Sequence, residues 1–192
     1  MSQLFYVIGA SGAGKDSIMN FVRMKLKGKR SILFSHRYIT RLPDAHTENH
    51  IYLSPHEFKA RLKAGLFAMD WKSHENYYGI GKEINYWMHQ GFTVIVNGSR
   101  EYLPEAQEKY KKLRPILIET SPDVLLKRLQ DRGRENTKEI MERIERNSRL
   151  SIDAENMVRI LNDGPIEEAG REFHDIISGI RKIKPLVGVT SL

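Results

Sequence analysis

The chain of 192 residues contains no cysteine, so a disulfide scaffold and thiolate chemistry are both excluded. It also has no long hydrophobic run. The first apolar stretch, Leu4 to Ala10, is too short for a membrane span or a signal peptide, and no basic stretch precedes it. These absences lead us to expect a soluble, cytoplasmic protein with no membrane partner. Repeats and low-complexity segments are missing. Zinc-finger spacings and aromatic-interleaved basic stretches are missing too, which argues against a nucleic-acid partner. Acidic residues are the minority charge: 24 Asp and Glu stand against 31 Lys and Arg, a formal net charge of +7. Such a surface attracts anions without saying which. The length suits one compact domain whose core needs no covalent staples.

What is present is an alternation of strands and helices. Leu4 to Ile8 is a continuous apolar run, as expected of a strand buried on both faces of a parallel sheet. Helical spacing follows from Lys15 to Lys27, then a short strand from Ser31 to Phe34. The stretch from Tyr38 to Gly91 is polar and rich in His and aromatics, with one expected helix from Pro55 to Ala64. Buried-strand patterns return at Phe92 to Val96, Pro115 to Glu119 and Met157 to Leu161. Between and after them helices are expected at Glu101 to Lys112, Ser121 to Arg132 with Ser121 as N-cap, through Ile140, Ile144 and Leu150, and from Ile166 to Arg181. The last ten residues are an edge strand or a frayed end.

This pattern predicts an α/β fold, a parallel sheet flanked by helices of the P-loop NTPase kind. Residues 1–37, 91–131 and 147–192 form its core, with an acceptor-binding insertion at about 38–90 and a lid at about 132–146. Both interruptions are expected at the end of the sheet where ligands bind.

The chemistry starts at "GASGAGKDS". Gly9, Ala10, Ser11, Gly12, Ala13, Gly14 and Lys15 match the phosphate-binding pattern G-x-x-x-x-G-K, in which backbone N–H groups and a helix N-terminus converge on phosphate oxygens. Lys15 can follow charge onto the β- and γ-phosphates during transfer. The Ser or Thr expected next, a Mg²⁺ ligand, is here Asp16, with Ser17 one place later. In the lid, Arg128, Arg132, Arg134, Arg143 and Arg146 gather within one short region, although Glu139, Glu142 and Glu145 could pair with some of them. Arg132 and Arg143 are the catalytic candidates beside Lys15. "HTENH", with His46 and His50 four apart, has its Glu in the wrong place for a zinc peptidase and sits among loop formers, so no zinc site is expected.

Taken in order, "GASGAGKDS", "TR" at 40–41, "GLFAMDW", "HENYYGI", "RLQDRG", "IMERI" and "ILND" resemble the motifs of guanylate kinases over nearly the whole chain. The resemblance implies ATP binding by residues 9–17, Arg132 and Asn162. It also shows what has changed. The four positions that contact guanine in that family hold Arg37, Met69, Ile80 and Asn97 here, whereas Arg41 and Tyr78 match residues that grip the acceptor phosphate. A second phosphate-gripping Arg becomes Asp44 or is lost, and a gripping Tyr becomes His50.

With "ITRLPDAHTENHIYLS" and "VNGSREYLP", residues 3–165 are similar to the ribose 1,5-bisphosphate phosphokinase family, associated with phosphonate breakdown. That resemblance implies transfer of the γ-phosphoryl of ATP to the 1-phosphate of ribose 1,5-bisphosphate, giving 5-phosphoribosyl 1-diphosphate. It makes Arg37, Arg41, Lys72, His74, Tyr78, Asn97, Ser99 and Arg100 candidate acceptor-binding residues. Mg²⁺ is the expected metal. Asp16 is expected to hold it, replacing an acidic residue that the family pattern places at Ile95, with Ser17 as the alternative and helix capping as Asp16's plainer role. Guanylate kinase proper, a kinase for another phosphorylated sugar, and a non-catalytic interaction module remain alternatives. Oligomeric state is not readable.

Overall fold

The computed structural model describes residues 2–26, 31–42, 49–73, 75–133, 136–149, 152, 154 and 156–180. In chain order the elements are β1 (Leu4–Gly9), α1 (Lys15–Lys25), β2 (Ile32–Phe34), β3 (Arg37–Ile39), β4 (His50–Tyr52), α2 (Pro55–Lys63), β5 (Phe67–Ser73) and β6 (Asn76–Gly81). There follow α3 (Glu83–His89), β7 (Thr93–Asn97), α4 (Leu103–Lys109), β8 (Arg114–Glu119), α5 (Pro122–Arg132), α6 (Thr137–Arg149), β9 (Val158–Leu161) and α7 (Ile166–Ile177).

Five strands form a parallel sheet in the order β2-β7-β1-β8-β9. Its centre is β1, whose alternate residues feed two cores. Phe5 and Val7 pack with Ile18 and Val22 of α1 and Phe173 and Ile176 of α7. Leu4, Tyr6 and Ile8 pack on the other face with Val94, Val96, Leu103 and Ala106. Both faces of β1 are thus apolar, which is why its sequence reads as an unbroken run. The chain passes from β1 toward β2 and β7 on one side and β8 and β9 on the other. This reversal of direction opens a crevice at the strands' C-terminal ends, where the phosphate loop lies.

The insertion carries its own four-stranded sheet, β4-β3-β6-β5, mostly antiparallel. One face covers α2 through Phe58, Phe67, Tyr38 and Tyr77. Helix α2 starts where Ser54 accepts a hydrogen bond from the Glu57 N–H at 3.1 Å, with Pro55 in the first turn. The opposite face meets the main core: Met69, Ile80 and Ile84 of α3 join Tyr6 and Ile8 in one cluster. Neither this sheet nor α3 was expected from the sequence. The strands β3 and β4 are three residues long, and α3 buries one side chain, Ile84.

Other expected boundaries shift modestly. The helix expected over Glu101 to Lys112 contracts to α4 because Arg100 to Tyr102 form a turn and Tyr110 leaves helical geometry. Ser121 does precede α5, but its side chain makes no capping bond; its N–H donates to Asp163 Oδ1 at 2.8 Å instead. Helix α6 begins with a reciprocal cap, Asn136 Oδ1 accepting from the Glu139 N–H at 3.0 Å and Glu139 Oε2 from the Asn136 N–H at 2.9 Å. It buries Ile140 against Leu125 and Leu129 of α5. The final ten residues, His74, Arg134, Asp44 and His46 lie outside the described residues, as do the side chains of Arg132 and Arg146. Among the described residues no helix is long and apolar enough to cross a membrane.

Candidate active site

The loop between β1 and α1 takes its shape from its glycines. A side chain at Gly9 would start 2.4 Å from the Ile118 carbonyl oxygen of β8, so only glycine lets the two strands stay paired here. Gly14, at the start of α1, has φ +89°. A Cβ there would meet Asn162 Nδ2 at 2.4 Å. Asn162 is 4% exposed and donates from Nδ2 to the Ala13 carbonyl at 2.7 Å, bracing the loop from behind. Thr120 Oγ1 donates to the same carbonyl at 3.3 Å. Gly14→Ala is therefore expected to cost about 1–3 kcal/mol through backbone strain. It should also weaken ATP binding through displacement of Asn162, measurable by thermal denaturation and by nucleotide titration.

Lys15 Nζ donates to the carbonyls of Gly9 at 2.8 Å and Ala10 at 2.9 Å, so its ammonium sits across the loop. From the lid, Arg143 Nη1 donates to Ser11 Oγ at 3.1 Å, bringing a second cation to the same loop. Arg100, on the turn after β7, donates from Nη2 to Asn147 Oδ1 and from Nη1 to the Asn147 carbonyl at 3.4 Å. It thus ties the core to α6, and burial pulls its guanidinium below the ordinary value. Ser99 is fixed by Tyr6: the Ser99 N–H donates to the phenol oxygen at 3.0 Å, and the hydroxyl donates to the Ser99 carbonyl at 3.3 Å. Burial pushes the Tyr6 phenol well above its ordinary value, so it stays a neutral donor.

Beside the loop, Arg37 and Asn97 both reach Asp16: Asn97 Nδ2 donates to Oδ1 at 2.8 Å and Arg37 Nη2 to the same oxygen at 3.3 Å. Tyr78 stacks on its cross-strand partner Trp71, centroids 5.6 Å apart with rings 2° from parallel, and Trp71 also stacks on Tyr102. Arg41, half-buried, lies two residues past the end of β3. Lys72 is not brought to this group. It is paired across the strands with Tyr77 and lies 5.9 Å above that ring, on the face that covers α2, opposite Trp71 and Tyr78. Two of the positions that contact guanine in the guanylate kinase pattern are closed. Met69 and Ile80 are cross-strand partners, both 0% exposed, inside the apolar cluster. The stack of Trp71 on Tyr102, which joins the insertion to the core, was not expected from the sequence.

Among the described residues, no three acidic or histidine side chains gather as a metal cage. Mg²⁺ commonly uses one or two carboxylates together with nucleotide phosphates and water. Asp16, its side chain 29% exposed beside the loop, supplies such a carboxylate, and the exposed Ser17 follows it. The residues present therefore fit a Mg²⁺ ion delivered with a nucleotide.

Comparison with known proteins gives a consistent picture. The sequence profile of the guanylate kinase family matches residues 1–179. Ribose 1,5-bisphosphate phosphokinase PhnN of Thiobacillus denitrificans is 47% identical over 92% of this chain and 93% of its own length. The protein of the same name from Desulfomicrobium baculatum is 46% identical over 92% of this chain and 95% of its own. Among solved structures, guanylate kinase from Anaplasma phagocytophilum aligns with a TM-score of 0.68 at 15% identity, over 93% of this chain and 86% of that one. At that identity the likeness speaks to the fold alone.

Proposed function

The chain belongs to the guanylate kinase family, within its ribose 1,5-bisphosphate phosphokinase branch, and from that membership we propose that it phosphorylates ribose 1,5-bisphosphate at the 1-phosphate. ATP is the co-substrate, and 5-phosphoribosyl 1-diphosphate and ADP are the products. ATP supply makes the cytoplasm its setting, and phosphonate breakdown its context. The observation that carries the substrate reading is the closed base site: Met69 and Ile80 fill it with packed apolar side chains. A nucleobase there would lose its hydrogen bonds to water and find none at Met69 or Ile80, a heavy penalty. A sugar bisphosphate makes no such demand.

In the reaction an oxygen of the 1-phosphate attacks the γ-phosphorus of ATP. The bond from that phosphorus to the β–γ bridging oxygen breaks, and ADP leaves. The acceptor phosphate, with a second pKa of about 6, is already anionic at neutral pH, so no general base is needed. Catalysis then rests on alignment and charge. Lys15 draws charge onto the loop side, and Arg143 and Arg132 deliver positive charge from the lid. Arg37, Arg41, Tyr78 and Ser99 hold the acceptor, while Arg100 sets the lid against it. Asp16 or Ser17 would hold Mg²⁺, which would supply charge neutralisation to the nucleotide's phosphates.

The test is ADP release from ATP and Mg²⁺ with ribose 1,5-bisphosphate or GMP as acceptor. Turnover with the sugar, accompanied by 5-phosphoribosyl 1-diphosphate, is expected, with GMP at background. Turnover with GMP, or with neither acceptor, overturns the proposal.

A further inference from the structure

Three of the residues that depart from the guanylate kinase pattern converge on a single atom. Asp16 follows the phosphate loop, Arg37 opens β3 and Asn97 ends β7, yet Arg37 and Asn97 both donate to Asp16 Oδ1, at 3.3 and 2.8 Å. The partners are separated in sequence by 21 and 81 residues. The cluster is sheltered: Asn97 is 3% exposed and the Arg37 side chain 13%.

Each substitution makes physical sense only with the others. A carboxylate at position 97 would face Asp16 with a second negative charge. The Asn97 amide offers an N–H instead, and its own Oδ1 is buried without a partner among the described residues. Its orientation is therefore held by Asp16. Arg37, with a long flexible stem, is oriented by the same oxygen. A fixed guanidinium binds a phosphate better than a mobile one, because less rotamer freedom is lost on binding.

We infer that Asp16 is a positioning residue: through Oδ1 it holds Arg37, with Asn97 as the third member, where the guanidinium receives the acceptor's phosphate. The inference rests on the proposed function and deepens it. It adds a role on the acceptor side to a residue that sits on the nucleotide loop, so one carboxylate links the two halves of the site. This role needs no metal, and that separates it from Mg²⁺ binding.

The measurement is calorimetric binding of ribose 1,5-bisphosphate to the full chain in EDTA without nucleotide. Wild type, Asp16→Ala, Arg37→Ser, the double variant and Asp16→Asn are compared, with melting temperatures taken on the same samples. Both single alanine and serine variants should lose about tenfold in affinity, and the double variant no more than Arg37→Ser alone, as expected for residues acting through each other. Asp16→Asn, which keeps a carbonyl acceptor for Arg37, should recover to within about threefold of wild type. A merely structural role would instead follow melting temperature across the series. Wild-type affinity in Asp16→Ala under EDTA overturns the inference, since it leaves Asp16 a metal ligand only; so do losses that multiply in the double variant. Failure of the wild type itself to bind the sugar bisphosphate is a different result: it removes the substrate assignment, and this inference with it.

Discussion

Lys15→Ala is expected to lower turnover by roughly 100- to 1,000-fold, the range seen when one preorganised charge-stabilising group is removed. The reason lies in the loop's geometry. Backbone N–H groups can hold phosphates in the ground state, but a side-chain cation is needed to follow charge onto the β–γ bridge as the bond breaks. Lys15 already sits across the loop, bonded to the Gly9 and Ala10 carbonyls, so little reorganisation separates it from its working position. The loss should fall mainly on kcat. Stability should fall by about 1–3 kcal/mol, the worth of two half-buried hydrogen bonds together, a drop in Tm of roughly 2–12 °C for a chain this size. Steady-state kinetics beside a melting curve checks this. Turnover within about tenfold of wild type would mean that the lid arginines, and not Lys15, stabilise the transferring group.

The second large effect concerns stability. Met69→Glu, which puts back the acidic residue of the guanylate kinase pattern, is expected to destabilise the fold by about 3–5 kcal/mol without conferring GMP turnover. Met69 is fully buried, paired across the strands with Ile80 and packed among Tyr6, Ile8 and Ile84. The cluster around it is apolar, so a carboxylate there must either stay ionised at high cost or take up a proton. Thermal or urea denaturation, with a GMP assay on the same protein, tests this. Wild-type stability with GMP turnover would show that a base pocket stands ready at this position. That expected result would place discrimination against a nucleotide acceptor in core packing, beyond the reach of one substitution.

The phosphate loop and most of the main sheet were legible because their signals are local. An unbroken apolar run such as Leu4 to Ile8 reports burial on both faces, and G-x-x-x-x-G-K reports the backbone conformation that Gly9 and Gly14 adopt. The insertion sheet was not legible. Strands of three residues such as β3 and β4 are too short to show alternation, and their existence depends on pairings such as Arg37 with His50 and Tyr38 with Gly79. For the same reason the sequence shows the charge of Lys72 but not the face of β5 that it occupies, which follows from its pairing with Tyr77.

The sequence by itself determined the chemistry available: a phosphate loop with its lysine, an arginine-rich stretch from Arg128 to Arg146, and Arg37, Met69, Ile80 and Asn97 where a guanine-reading kinase has its base contacts. Those are properties of residue type and near-neighbour spacing, which a chain carries before it folds. Tertiary structure alone decided which residues meet. It sealed Met69 against Ile80, sent Lys72 to the far face, tied Arg100 to the lid at Asn147, and gathered Asp16, Arg37 and Asn97 around one oxygen. The physical reason is range. Helix and turn signals act over a few residues, whereas strand register and side-chain convergence are set by burial of distant segments against one another.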